Sequence, residues 1–193
     1  WGKPRIMGAP GTNAEPLIVF DKVSLWVGER LFLEDIELTI DEGETVVVSG
    51  QPGSGKSFLL RLVLGLPGMS QADEVRLRGE VIVAGHRLFR GKSGFLQNWR
   101  RQVGSILWFG GLIDNMDIRR NITLPLYYHF SDMMHSDKIE KRCDLLLREL
   151  GITHLDQPGL RPIATNSEER IRVALARALI NQPCALLLDD PIS

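Results

Sequence analysis

From Leu17 to Ile40 the apolar residues fall in short alternating runs, LIVF, VSLWV and LFLEDIELTI, broken by GER at 28–30. Alternation at a period of two with a turn between the runs predicts antiparallel strands, a small β layer. ETVVVSG is a short β-branched run, a glycine-rich loop follows it, and FLLRLVLGL continues as an apolar segment of helical length to about Gly65. RGEVIVAGHRLF predicts another strand pair, and QVGSILWF a short buried strand.

Downstream the period changes. SDKIEKRCDLLLREL opens on a capping residue, Ser136, and sets Ile139, Cys143, Leu146, Leu147 and Leu150 on one helical stripe, with Gly151 as the stop signal. SEERIRVALARALI predicts a second helix, NQP breaks it, and CALLLDDP is an apolar run ending in two carboxylates. Strands alternating with helices predict an α/β fold with a mostly parallel sheet, behind an N-terminal antiparallel β layer and with a helical insert at about 126–180. The opening WGKPRIMGAPGTNAEP is rich in Gly and Pro without periodicity, so residues 1–16 read as a tail or linker and 17–193 as the folded domain.

Composition narrows the function classes. With 193 residues and 44% apolar side chains, the chain can bury the core of one domain. Lys and Arg number 23 against 24 Asp and Glu, so no net charge drives it onto nucleic acid or an anionic membrane. Cys143 and Cys184 lack any paired metal spacing and read as two ordinary buried thiols in a reducing compartment. No run reaches the ~18 apolar residues of a membrane helix, so direct membrane insertion is not expected and a cytoplasmic setting is.

The chemistry starts at GQPGSGKS: Gly50, Gln51, Pro52, Gly53, Ser54, Gly55, Lys56 and Ser57. Glycines let main-chain amides approach phosphate oxygens, and the following helix presents its positive end, so the stretch selects a polyphosphate. Lys56 would reach its β and γ phosphates and the Ser57 hydroxyl would ligate Mg2+. At the end of CALLLDDP, Asp189 would hold Mg2+ through water, and Asp190 beside it is the candidate catalytic base.

This ordered set resembles the nucleotide-binding subunit of an ATP-binding cassette (ABC) transporter. GQPGSGKS stands as its Walker A motif, RGEVIVAG as its β hairpin, and RVALARALINQPCALLLDDP as the signature-helix tail and Walker B. VGSILWFGGLIDNMDIRRNITLPL is similar to the loop-and-linker region of the branch that powers MCE-type phospholipid transporters. The resemblance implies a P-loop NTPase fold, ATP binding and head-to-tail dimerisation. It also implies coupling to a membrane permease through the helical insert, on the cytoplasmic face of the membrane.

The sequence departs from the family pattern in several places. The signature LSGGQ falls at 165–169, where this chain has TNSEE, with Asn166 and Ser167 as good helix caps and two carboxylates in the first turn. The loop glutamine falls at Trp108, whose indole has no acceptor for Mg2+ or water. Asp190 stands where the family has a longer glutamate. The adenine-stacking aromatic falls at Val27, with Trp26 beside it as either a substitute or a packing residue. His86, His129, His135 and His154 match no switch histidine and read as surface or packing residues. The chain ends at Ser193, ahead of the family's later motifs, so a C-terminal part is expected to be missing.

Two readings stay open: an ATPase subunit, forming a homodimer or a heterodimer, and a degenerate member that binds ATP without hydrolysing it, as a regulatory or assembly switch. A third, a small-molecule P-loop kinase, is disfavoured by the signature-helix region.

Overall fold

The computed structural model describes residues 5–8, 16–68, 74–89, 94–107, 111–130 and 136–189. They belong to two compact units, Trp1–Leu96 and Gln97–Ser193.

In the first unit β2 (Pro16–Val27) and β3 (Arg30–Asp41) form a hairpin, closed by the two-residue loop Gly28–Glu29 with Gly28 at φ 59. β5 (Val75–Val83) pairs with the other edge of β2, and β6 (His86–Arg87) with β5, all antiparallel. Ile18 and Phe20 point into the core at even positions, whereas Val23 and Leu25 do so at odd ones. A bulge reverses the parity: Lys22 takes φ 49, and the register against β5 shifts between Asp21 and Ser24. Gly79 lies opposite, where a Cβ would fall 2.3 Å from the Lys22 carbonyl oxygen.

β4 (Val46–Ser49) leads into the glycine loop and α1 (Lys56–Val63) out of it, with Phe58, Leu59, Leu62 and Val63 buried. β1 (Arg5–Gly8) pairs antiparallel with β4, Arg5 against Ser49, so this part of the expected tail is a strand. Its RIMG run gives β4 a hydrogen-bonding neighbour.

α2 (Gly94–Arg101) was not evident in the sequence; its Trp99 is buried. In the second unit β7 (Val103–Ile106) and β8 (Ala185–Leu188) run parallel, Val103 against Ala185 and Ile106 against Leu188. The helices are α3 (Ile118–Phe130), α4 (Ser136–Glu149) and α5 (Ser167–Leu179). The predicted stripe of α4 is the one buried: Ile139, Cys143, Leu146 and Leu147 pack with Ile118 and Ile122 of α3 and Val173 and Ala176 of α5. Each buried aliphatic side chain there contributes about 1.5–3 kcal/mol. Gly151 takes φ 67, the left-handed value that ends a helix.

The α/β class, the N-terminal antiparallel layer and the helical region are as expected. The proportion of parallel pairing is lower: among the described residues it is confined to β7 and β8, and β4 joins β1 instead. Short apolar runs such as VVVS fix strand identity but not partner, which depends on contacts distant in sequence. Cys143 is buried, and burial pushes its thiol up to about 12. Cys184 is exposed rather than buried, since it lies at the entry to β8, where its thiol donates to the Gln102 carbonyl. Among the described residues no helix is long and apolar enough to cross a membrane.

Candidate functional site: a glycine loop and a strand-end aspartate

The loop between β4 and α1 is held open by its glycines. Gly53 and Gly55 take φ 77 and 96, and a Cβ on Gly55 would lie 2.6 Å from the Phe32 carbonyl oxygen, so no other residue fits there. The Ser54 amide donates to the Gln51 carbonyl at 3.2 Å, closing the turn, and Gly55 begins α1 without a side-chain cap. The first amides of a helix have no intrahelical acceptor and carry its positive dipole end. Lys56 Nζ folds back to donate to the Gly50 and Gln51 carbonyls at 2.8 and 3.0 Å, which holds a cation over the loop. The Ser54 hydroxyl is buried without a hydrogen-bond partner. Gly50 to Ser57 thus combine glycine-enforced amides, an ammonium and hydroxyls, a donor set that fits a polyphosphate with a hard cation.

Asp189 follows β8 directly. Its amide donates to the Ile106 carbonyl at 2.9 Å, one step beyond the last ladder pair. The expected ligands divide between the units: Gly50–Ser57 lie in the first and Asp189 in the second. The candidate base Asp190 lies outside the described residues, as does Trp108. Among the described residues no cluster of three His, Cys, Asp or Glu could cage a metal. A cation bound with a phosphate at the glycine loop would use few protein oxygens besides those of the phosphates, the ordinary mode for Mg2+.

At 165–169 the structure forms a capping box. Asn166 Oδ1 accepts from the Glu169 amide at 2.9 Å, and Glu169 Oε2 accepts from the Asn166 amide at 3.0 Å. Glu169 Oε1 lies 2.8 Å from His154 Nε2, and these contacts, His154 first, hold its carboxyl below the usual range. Glu168 reaches Arg172 one turn on. The ring of Trp26 is half-buried under the Arg76 guanidinium at 5.6 Å, a packing contact across the β2–β5 pair. His86 stacks on Phe95 with ring centroids 3.9 Å apart.

Three residues escaped the sequence reading. Asn121, fully buried in α3, accepts from the Ile113 amide and donates to the Ile113, Met116 and Asp117 carbonyls, fixing the 113–117 segment. Arg119 pairs with Glu140, Asp144 and Asp156 at 2.5–2.6 Å; the Asp156 bond in particular raises its pKa. It lies beside a cavity of about 710 Å³ lined in part by Met116, Leu124, Tyr127 and Pro158. Arg177, half-buried on α5, donates to the Gly111 carbonyl at 2.8 Å. A buried polar side chain in an apolar helix was the available signal for Asn121; partners 21 to 66 residues away left none for the arginines.

Strand, glycine-rich loop and helix in that order define a P-loop nucleotide-binding protein of the α/β class. A sequence model of the ABC transporter family matches residues 33–193. The chain belongs to that family. The cell division ATP-binding protein FtsE of Escherichia coli K12 is 31% identical over 176 residues, spanning 91% of this chain and 74% of its own length. The spermidine/putrescine import ATP-binding protein PotA of Pseudomonas aeruginosa UCBPP-PA14 is 31% identical over 180 residues, spanning 92% of this chain and 44% of its own. Among solved structures, the dimeric post-hydrolysis state of the ATP-binding cassette MJ0796 bound to ADP and Pi has a TM-score of 0.73 at 25% identity. That match covers 91% of this chain and 74% of MJ0796.

Proposed function

We propose that this chain is the ATP-binding subunit of an ABC-type membrane transporter, coupling Mg-ATP binding to the movement of a permease. The observation that carries the reading is the Lys56 ammonium held over its own loop by the Gly50 and Gln51 carbonyls, at the uncapped start of α1. With a nucleotide bound, Lys56 would exchange those carbonyls for phosphate oxygens, and the amides of Gly53 to Lys56 would donate to the same phosphates. Ser57 and Asp189 are the residues that would hold Mg2+, which neutralises phosphate charge. Asp190 is the group that would take a proton from water.

Its partners in this reading are a second ATP-binding subunit, identical or not, and a membrane permease that contacts the helical region beside the Arg119 cavity, with the chain peripheral on the cytoplasmic face. FtsE is named for cell division and PotA for spermidine/putrescine import, so neither lends a cargo. A phospholipid cargo rests on the resemblance of residues 103–126 to the MCE-type branch. Titration calorimetry with Mg-ATP tests the core of the reading: heat in the wild type that disappears in Lys56→Ala supports it, and a silent wild type overturns it.

The capping box favours a second reading, a member that binds ATP without hydrolysing it. Asn166 and Glu169 occupy the helix-start groups that an incoming phosphate would need, and Glu168 adds a carboxylate beside them. Steady phosphate release that Asp190→Asn abolishes would exclude this reading; intact binding with no release supports it.

A further inference from the structure

The start of β3 lies against the glycine loop. A Cβ on Gly55 would sit 2.6 Å from the Phe32 carbonyl oxygen and 3.0 Å from Leu33 Cδ2. The Phe32 side chain spans the same junction, its ring packing on the ring of Phe58 with centroids 4.6 Å apart and planes tilted by 51°. Phe58 belongs to the first turn of α1, where its amide donates to the Gly55 carbonyl at 3.0 Å. Arg30 stands two residues before Phe32, the spacing that sets two side chains on one face of a strand. Its guanidinium carbon lies 4.6 Å from the Phe32 ring centroid. Exposure grows outward along this stack: Phe58 is buried, Phe32 half-buried and Arg30 exposed.

We infer that Arg30, backed by Phe32, is the nucleoside platform of the site: the purine base of a nucleotide whose phosphates occupy the glycine loop stacks on the Arg30 guanidinium. Loop amides and Lys56 recognise phosphate and carry no selectivity for a base. The nucleoside joined to those phosphates must leave the loop along one of its walls, and β3 is a wall whose backbone touches Gly55. A guanidinium is planar, delocalised and more weakly hydrated than an ammonium, so bases stack on it as they do on aromatic rings. Cation–π attraction holds the Arg30 head on Phe32, and Phe58 ties Phe32 to the helix that begins at Lys56. A purine covers more of such a platform than a pyrimidine does. Trp26, on the neighbouring strand opposite Leu31, instead packs its ring under the Arg76 guanidinium at 5.6 Å.

The inference rests on the Mg-ATP reading, and inorganic tripolyphosphate separates the two. Calorimetry on the full chain gives the Kd of ATP and of tripolyphosphate, both with Mg2+, and their ratio is the contribution of the nucleoside. Removing a side chain on which a base stacks commonly costs about 5- to 100-fold in affinity. Arg30→Ala is therefore expected to weaken ATP about 10-fold while tripolyphosphate stays within about 2-fold of the wild type. Arg30→Lys, which keeps the charge and loses the plane, should bind ATP as weakly as Arg30→Ala. Phe32→Leu, which leaves Phe58 an apolar neighbour, should lower the ratio in the same direction. CTP should bind the wild type more weakly than ATP, and Arg30→Ala should narrow that gap. Unchanged ATP affinity in Arg30→Ala overturns the inference. So does an equal loss for both ligands, which puts Arg30 on the phosphates, or a recovery in Arg30→Lys, which assigns the effect to charge. A wild-type chain that binds tripolyphosphate as tightly as ATP overturns this inference alone; one that binds neither overturns the Mg-ATP reading with it.

Discussion

Asn166 and Glu169 exchange hydrogen bonds across the first turn of α5, each side chain accepting from the other's backbone amide, at 2.9 and 3.0 Å. The helix start is satisfied from within. Asn166→Ala should therefore cost about 1 kcal/mol in urea unfolding. Because the carboxyl of Glu169 sits below its ordinary range, its contribution is full above the unfolded carboxylate value and is lost as pH falls through the folded one. His154→Gln, which removes the largest cause of that shift, should weaken this acid-side dependence. An unchanged pH profile would mean the contact with His154 is not kept in solution.

Glu168→Gly combined with Glu169→Gln tests the electrostatic side of the same helix start. Removing two carboxylates from the first turn exposes its positive end, so ATP-dependent self-association, followed by light scattering, should increase over the wild type. If association is equal or weaker, the acidic helix start is not what limits phosphate contact there.

The glycine loop should respond differently to its two kinds of residue. Gly55→Ala places a methyl 2.6 Å from the Phe32 carbonyl oxygen at φ 96, and should destabilise the fold by about 1–3 kcal/mol in a thermal melt besides removing nucleotide binding. Lys56→Ala should leave the melting temperature within a few degrees while ATP affinity falls by about 10-fold or more, since charge-assisted bonds to phosphate are among the stronger ones. A Gly55→Ala chain as stable as the wild type would argue against the close approach of β3 to the loop.

Arg119 joins α3, α4 and the turn at Asp156 through three carboxylates, none of them close to it in sequence. Arg119→Met should lower stability near neutral pH by about 1–3 kcal/mol, allowing for the partial exposure of the group. The Asp156 carboxyl is held low chiefly by Arg119, so this stabilisation is present above the unfolded value of an aspartate and disappears as pH falls through the depressed one. Urea titrations from neutral to acid should thus show the variant and wild type converging at low pH. Curves that stay parallel would assign the loss to packing of the arginine stem instead.

Gly79→Ala probes the bulge that sets the facing of β2. The added Cβ would fall 2.3 Å from the Lys22 carbonyl oxygen at φ 83, and about 2–4 kcal/mol should be lost in thermal unfolding. A small effect would mean that β2 and β5 can separate locally at low cost.

What the sequence determined by itself is local. The period-two runs of β2 and β3, the glycine loop between a β-branched strand and an apolar helix, the stripe of α4 with Gly151 behind it and the cap at Asn166 all depend on residues a few positions apart. Propensity and side-chain spacing act over that range, so a single chain displays them. Tertiary structure alone decided the rest: that β4 takes β1 as its neighbour, that a bulge at Lys22 reverses the facing of β2, that α3 forms despite Pro125, and that Arg119 and Arg177 find partners across the unit. Those outcomes depend on which surfaces meet when apolar faces are buried, and a charged side chain takes its partner from whatever burial brings within reach.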